Sequence, residues 1–333
     1  MPIIVAVVSL QPILNRMKIS DHIKQAKGTL ISFEILPPLK GKGIAAIYNH
    51  LDPLMEFKPA YINVTYHRSE HIFKKRADGS FEKVEVRKRP GTVGICAAIM
   101  NHYRIDAVPH IICGGFTKRE TEDALIDLNF LDIDNVLVIR GDAAKNEAAF
   151  EPEPDGNRYA IDLMKQIVNL NNGIYLDEDI REGGKTKFCI GVAGYPEKHF
   201  EAPNLEIDMR RLKEKVDAGA DYIMTQMFFD NKKFCEFVRL CKGYGIHIPI
   251  IPGLKPITSK KQLSVLPRIF HVDIPTELSN EIMKCKTDAD CEKIGTEWLI
   301  QQSKELKEFG VPVLHYYTLG KSKLIADVVK ELV

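Results

Sequence analysis

The sequence lacks an excess of charge of either sign. Its 333 residues include 46 Lys plus Arg and 45 Asp plus Glu, so the formal net charge is +1 with neutral His. A protein whose main partner is nucleic acid or an anionic membrane usually carries a clear basic excess. The balance therefore argues against both partners, and the 45% hydrophobic content is typical of a folded globular protein.

The sequence also lacks the cysteine and hydrophobic patterns of secreted, metal-binding and membrane proteins. The seven cysteines form no C-x-x-C pair, and no Cys, His and carboxylate cluster has metal-ligand spacing. The apolar run 3–10 is far shorter than a membrane helix, and no basic residue precedes it. We therefore expect a cytoplasmic protein with free thiols and no metal. We interpret residues 1–16 as an extension or a mis-assigned start, and residues 17–333 as one domain.

Short apolar segments alternate with longer segments of helical period, which predicts a parallel sheet covered by helices. The strand candidates are residues 30–35, 61–65, 109–113, 135–139, 187–193, 222–226, 248–252 and 313–317. Two extra helices, 277–286 and 289–308, are predicted before the last strand. Eight strands with intervening helices favour a single (β/α)₈ TIM-type barrel over a doubly wound sheet.

Three local features of the sequence resemble functional elements, and each has a simpler explanation. Gly41 and Gly43 match a dinucleotide fingerprint, but residues 37–40 separate them from the preceding strand. In addition, the next predicted strand does not end in the acidic residue that would bind a ribose. His67 and His71 fit an H-x-x-E-H pattern outside any predicted helix, so exposed loop histidines are favoured. The basic segment 67–90 is interpreted as a solvated loop, the alternative being contact with an anionic substrate tail or cofactor phosphate.

Glu34 is the first candidate functional residue, because barrel enzymes place reactive groups at the carboxyl ends of their strands. The alternation of a strand puts Ser32 and Glu34 on one face and Phe33 and Ile35 on the other, so Glu34 should point into the barrel mouth. Desolvation there would favour the neutral carboxyl, suited to a general acid. A structural carboxylate paired with Lys or Arg is an equally acceptable interpretation.

Further polar groups follow the other strands. The fourth strand runs into Arg140-Gly141-Asp142, where the glycine allows close approach of a flat ligand between a cation and an anion. Asp208 and Lys215 lie seven residues apart on one helix face, where they could meet a ribose hydroxyl and a phosphate. From spacing alone, an exposed pair is favoured for these two.

With these residues assembled, the sequence resembles the methylenetetrahydrofolate reductases, flavoproteins with a (β/α)₈ catalytic barrel. The resemblance extends from about residue 32 to the C-terminus and rests on several blocks in the expected order. The most specific blocks are residues 32–38, 61–66, 138–142, 192–197, 212–230, 250–253 and 314–319.

The resemblance implies a role for each matching residue. Glu34 matches the proton donor, and Asp142 matches a residue near both flavin and folate. The folate-binding matches are Gln226, Tyr317 and Lys321. The FAD-binding matches are Thr65, Tyr66, His110, Arg140, Gly141, Asp142, Tyr159, Ala160, Tyr195, His199, Phe200, Glu201, Ala202, Asp208 and Lys215. For Asp208 and Lys215, this implication replaces the exposed-pair interpretation.

The implied activity is the reduction of 5,10-methylenetetrahydrofolate to 5-methyltetrahydrofolate by NADH or NADPH through FAD, in one-carbon metabolism. We expect a homo-oligomer with folate and nicotinamide nucleotide as its partners. Two residues depart from the pattern: Lys321 replaces an Arg, and Lys260 replaces a Phe that stacks on nicotinamide in some bacterial members. The alternatives are a flavin-free barrel lyase or pterin-binding transferase, and a catalytically silent folate-binding subunit.

Overall fold

The computed structural model describes residues 16–143, 147 and 149–333. The helices are α1 (Ile19–Gln25), α2 (Ala45–Met55), α3 (Thr92–Tyr103), α4 (Lys118–Phe130), α5 (Ala160–Asn171), α6 (Leu205–Asp217), α7 (Asn231–Gly243), α8 (Gln262–Phe270), α9 (Thr276–Lys284), α10 (Asp288–Phe309) and α11 (Ser322–Lys330). The strands are β1 (Leu30–Ile35), β2 (Tyr61–Val64), β3 (Glu70–Lys75), β4 (Phe81–Val86), β5 (Asp106–Ile112), β6 (Asn135–Ile139), β7 (Cys189–Gly194), β8 (Tyr222–Thr225), β9 (Ile250–Ile251), β10 (Gly253–Leu254) and β11 (Val313–Tyr317).

The nine strands other than β3 and β4 form one parallel sheet, in the order β10-β11-β1-β2-β5-β6-β7-β8-β9. The short strands β9 and β10 are separated by Pro252 alone, and they pair with opposite ends of this order, β8 and β11. They are thus two halves of one strand, interrupted where proline lacks an N–H. The sheet is a nearly closed barrel of eight strand positions, which confirms the predicted fold.

The two faces of the strands bury different groups. Outward side chains such as Phe33 and Ile35 pack with the surrounding helices in the largest apolar cluster. Inward side chains, including Tyr61, Leu137 and Tyr222, fill the barrel itself. This alternation is the one predicted for β1, and it leaves Glu34 on the inner face.

Helix α1 covers the amino-terminal end of the barrel and was not among the predicted helices. Ile19 is fully buried against the inward side chains. The backbone N–H of Met17 donates to Asp106 at 3.2 Å and that of Ile19 donates to Asn135 at 2.9 Å; these two acceptors begin β5 and β6. Arg16, the last residue of the predicted extension, donates to the Leu131 carbonyl. The rest of that extension lies outside the described residues.

Strands β3 and β4 form an antiparallel hairpin where a solvated loop was expected over residues 67–90. Ile72 and Val84 are opposite each other on its half-buried face, whereas Phe73 and Phe81 are more than half exposed on the other. The Asp78-Gly79 turn, with a φ of +85° at the glycine, is the local signal that sequence reasoning missed. The loop interpretation was therefore wrong, and His71 of the H-x-x-E-H pattern lies on a strand.

Helices α8, α9 and α10 precede the last strand, which confirms the prediction of extra helices there. Their apolar faces form a separate cluster that includes Leu266, Ile282 and Cys291. Thr287 caps α10 by accepting the Asp290 N–H at 3.2 Å. None of the helices in the described ranges has the length and apolar content needed to cross a membrane.

Candidate functional site

A cavity of about 480 Å³ opens at the carboxyl ends of the barrel strands. It brings together many of the residues predicted from the sequence, contributed by separate elements of the barrel. The predicted residues that line it are Glu34, Thr65, Tyr66, His110, Arg140, Gly141, Asp142, Tyr195, His199, Phe200, Gln226 and Tyr317. Its volume is within the range of small-molecule and cofactor sites.

Glu34 lies on the floor of this cavity between two histidines. Its side chain is 9% exposed, and its Oε2 atom is 3.3 Å from Nε2 of His110 and 3.7 Å from Nε2 of His315. The first distance allows a hydrogen bond, whereas the second is too long for one. The alternative interpretation of Glu34, a pairing with Lys or Arg, is not what the structure shows.

The surroundings of Glu34 correct the expected protonation state. Burial is the largest single influence on its pKa and acts upward, as the sequence predicted. The electrostatic attraction of His110, the hydrogen bond to it and the weaker electrostatic influence of His315 together outweigh burial and lower the pKa to about 2. The carboxyl is therefore ionised in these surroundings, which contradicts the expectation of a neutral group.

Contacts with Ser32 and Tyr61 hold His315 in place. Its Nδ1 atom is 2.8 Å from the Ser32 hydroxyl, and the Tyr61 ring stacks at 6.3 Å with an interplanar angle of 18°. Burial lowers the pKa of His315, which favours the neutral ring near pH 7. Its Nε2 atom and Oδ1 of Asn63 are buried without a hydrogen-bond partner within the described residues. Neither His315 nor Asn63 lines the cavity, so these two atoms lie beneath the floor that Glu34 and His110 form.

The turn after β6 contributes a cation, a glycine and an anion, as predicted. Arg140 binds Glu201 through both guanidinium NH2 groups, one of them at 2.9 Å. Gly141 has a φ of +84°, a backbone conformation that favours glycine. Asp142 is exposed and faces the cavity. Side chains of opposite charge therefore stand on either side of a turn that lies against the cavity.

An aromatic wall lines another side of the cavity. Tyr195 contacts His199 edge to face with ring centroids 4.6 Å apart, and the half-exposed ring of Phe200 stacks on His271 at 4.4 Å. His271 ends α8 in the left-handed conformation, and it was not among the predicted residues. Sequence reasoning missed it because it follows a helix rather than a strand.

Asp208 and Lys215 are not the exposed pair that their spacing alone favoured. Asp208 accepts the backbone N–H of His199 at 2.9 Å, and Nζ of Lys215 donates to the Ala193 carbonyl at 2.7 Å. Both contacts lead to segments that line the cavity. Burial lowers the pKa of Lys215 to about 8, although the nearby Asp208 acts in the opposite direction.

Several predicted residues do not line the cavity. Tyr159 and Ala160 stand at the start of α5, and Tyr159 is half exposed. Lys321 is half exposed and paired with Glu292 on α10. The predicted residues outside the cavity lining are Tyr159, Ala160, Glu201, Ala202, Asp208, Lys215 and Lys321.

Residues 18–333 match the family model described as methylenetetrahydrofolate reductase. Methylenetetrahydrofolate reductase 1 of Schizosaccharomyces pombe is 30% identical over 95% of this chain and 48% of that protein. The 5,10-methylenetetrahydrofolate reductase of Salmonella typhimurium is 28% identical over 93% of both chains.

The chain therefore spans about half the length of the eukaryotic relatives and nearly all of the bacterial one. A solved structure from Clostridium thermocellum, described as an uncharacterized protein that binds two copies of 5-methyl-5,6,7,8-tetrahydrofolic acid, has a TM-score of 0.53 and 15% identity. It covers 93% of this chain and 96% of its own, and it supports the fold only. On the match to the family model, the chain belongs to the methylenetetrahydrofolate reductase family.

Proposed function

We propose that this protein reduces 5,10-methylenetetrahydrofolate to 5-methyltetrahydrofolate with NADH or NADPH, in a ping-pong sequence through bound FAD. Family membership supports the folate substrate. Relatives are named for NADH in Arabidopsis thaliana and for NADPH in Caenorhabditis elegans. The observation that carries the proposal is the position of Glu34, buried at the cavity floor among residues that match folate and flavin positions.

The residues present fit FAD. Arg140 lines the cavity and would turn part of its guanidinium from Glu201 to a diphosphate. Lys215 and Asp208 lie behind the lining and would reach a diphosphate and a ribose hydroxyl by giving up their bonds to Ala193 and His199. Gly141 leaves the turn after β6 without a side chain, so that a flat ring can lie close to the backbone. Bound FAD would supply the hydride carrier that links the two substrates.

Glu34 would protonate the bridging nitrogen of the substrate, directly or through water, to open its five-membered ring. Because its surroundings favour the ionised carboxyl, Glu34 must first gain a proton. His110 is within hydrogen-bond distance and can hold that proton. A ligand that fills the cavity would exclude the remaining water and so act, like burial, to raise the pKa of Glu34.

Two other residues would position the substrate and stabilise its charge. Oε1 of Gln226 accepts the Met227 N–H at 2.9 Å, which fixes the amide and leaves its NH2 group to donate to a pterin. The carboxylate of Asp142, at the cavity edge, would stabilise the cation that develops when the substrate ring opens.

An anaerobic spectrum of the purified protein tests the proposal. The proposal expects a flavin spectrum that NADH or NADPH bleaches and that methylenetetrahydrofolate restores. A colourless protein would indicate a flavin-free lyase or transferase. A protein that binds folate but shows no flavin reduction would be a catalytically silent subunit.

A further inference from the structure

His271 is a ring on the aromatic wall of the cavity that matches none of the predicted binding positions. It ends α8 with a φ of +54°, the left-handed conformation in which glycine or asparagine usually ends a helix. Its backbone N–H donates to the Pro267 carbonyl at 3.0 Å, which any residue there could do. Glycine would suit this backbone better, so the reason for an imidazole must lie in its side-chain contacts.

The imidazole of His271 belongs to a stack of three rings. The Phe200 ring stacks on His271 with centroids 4.4 Å apart and an interplanar angle of 19°, and on His199 at 5.0 Å and 24°. His271 is exposed, Phe200 is half exposed, and both line the cavity. A further flat ring can extend such an exposed stack, because parallel offset rings bury their apolar faces against each other. The wall therefore has the chemistry of a site for a heteroaromatic group.

A group of polar contacts fixes His271 relative to Phe200. The carboxylate of Glu197 accepts the backbone N–H of Asp273 at 2.9 Å and a hydrogen bond from Nζ of Lys233 at 3.2 Å. Lys233 also pairs with the side chain of Asp273. The Glu197 side chain is only 11% exposed, so water competes little for its hydrogen bonds. The segment after β7 and the segment after α8, which carry the two rings, are thus joined to each other, and the wall is preorganised.

We propose that His271 stacks on an aromatic ring of the nicotinamide nucleotide that reduces the flavin. This inference rests on the proposed function. His199 and Phe200 match FAD positions, whereas His271 matches none, so its ring can serve a second ligand in the same cavity. Lys260 stands where some bacterial members of the family carry a stacking Phe, and it is outside the cavity lining. Lys260 precedes α8 and His271 ends it, so the stacking ring would come from the other end of the same helix.

Calorimetric titration of the flavin-loaded protein with NAD⁺ and NADP⁺, and stopped-flow flavin reduction by NADH and NADPH, test this inference. His271→Gly removes the ring but suits the left-handed backbone, so its melting temperature should equal or exceed that of the wild type. It should bind the preferred nucleotide about tenfold more weakly, as expected for one lost ring stack. His271→Phe should restore most of the affinity, because it keeps a flat ring. His247→Ala, which removes an exposed histidine outside the cavity lining, should leave the affinity unchanged.

The other two ligands decide whether the ring serves the nucleotide. In His271→Gly, the affinity of the apoprotein for FAD and the reoxidation of reduced flavin by methylenetetrahydrofolate should match the wild type. A loss of FAD or folate affinity in place of nucleotide affinity would assign the ring to that ligand and overturn the inference. Unchanged nucleotide affinity in His271→Gly would overturn it as well. A wild-type flavin that neither NADH nor NADPH reduces would refute the proposed function, and the inference with it.

Discussion

The Oε2 atom of Glu34 lies 3.3 Å from the Nε2 atom of His110. This contact joins β1 to β5 across the intervening strand β2, and it holds the carboxylate in its ionised form at the cavity floor. The proposed acid of the reaction is thus stored as an anion with an imidazole as its neighbour. The first two predictions follow from this pair.

Glu34→Gln should separate the two halves of the proposed reaction. The amide keeps the shape of the side chain but cannot deliver a proton, so the folate-dependent step should slow by about 10²–10⁴-fold. FAD binding and flavin reduction by NADH or NADPH should stay close to wild type. Anaerobic stopped-flow absorbance measures both steps, and equal loss of both would remove Glu34 from the role of acid.

The Glu34–His110 pair should also make the free energy of unfolding decrease at acidic pH. The pKa of Glu34 falls from 4.5 to about 2 on folding, so the unfolded state binds its proton first as the pH drops. The carboxylate therefore contributes about 3 kcal/mol above pH 4.5, and this contribution is lost as the pH falls towards 2.

Urea unfolding from pH 7 to pH 3.5 measures this contribution. The difference in unfolding free energy between wild type and Glu34→Gln should stay constant to about pH 5 and shrink by about 1 kcal/mol by about pH 3.5. Glu308→Gln, which changes an exposed glutamate on α10, should follow the wild type. A gap that widens in acid would mean that the carboxyl is protonated in the folded protein.

The sequence predicts the barrel well because its strands are apolar and its helices have strong periodicity. It does not predict the β3–β4 hairpin, since alternating Lys and Glu residues hide the strand pattern. The pairing of Ser32 with His315 depends on the parallel register between the first and last strands. Such a distant register has no local signal.

The protonation of Glu34 was mispredicted for a related reason. Burial can be inferred from the alternation of one strand, and that part of the expectation holds. The lowered pKa needs His110 and His315, which come from two other strands and act together. The balance between burial and neighbouring charge is thus a property of the assembled barrel.

Gly141→Ala should be destabilising although there is space for a methyl group. The added Cβ would lie 3.5 Å from Cβ of Ile112, an ordinary contact, but the φ of +84° is unfavourable for alanine. We expect a loss of about 1 kcal/mol in unfolding free energy and weaker FAD binding, because Arg140 and Asp142 flank this turn.

Gly94→Ala is the matched control for this glycine. Gly94 lies within α3 with open space around it, so alanine should stabilise by up to about 1 kcal/mol. Urea unfolding and flavin fluorescence titration measure the two effects. If Gly141→Ala matches the wild type in both, the glycine is not required by the turn.

Because of Lys215, the affinity for FAD should decrease at alkaline pH. Burial lowers its pKa to about 8, so the free protein loses this positive charge as the pH rises through 8. If the ammonium pairs with the cofactor diphosphate, the dissociation constant of FAD should be flat below about pH 7. It should then rise by up to tenfold per pH unit above pH 8, as expected for one coupled proton.

Lys215→Met should bind FAD weakly at all pH values and lose most of this dependence, because no proton remains to be coupled. Lys213→Met removes a neighbouring lysine that pairs with Asp217 on the same helix, and it should keep the wild-type profile. Fluorescence titration of the apoprotein between pH 6.5 and pH 9.5 measures all three dissociation constants. The same alkaline weakening in Lys215→Met as in the wild type would show that another group titrates, and the diphosphate contact would have to be reassigned.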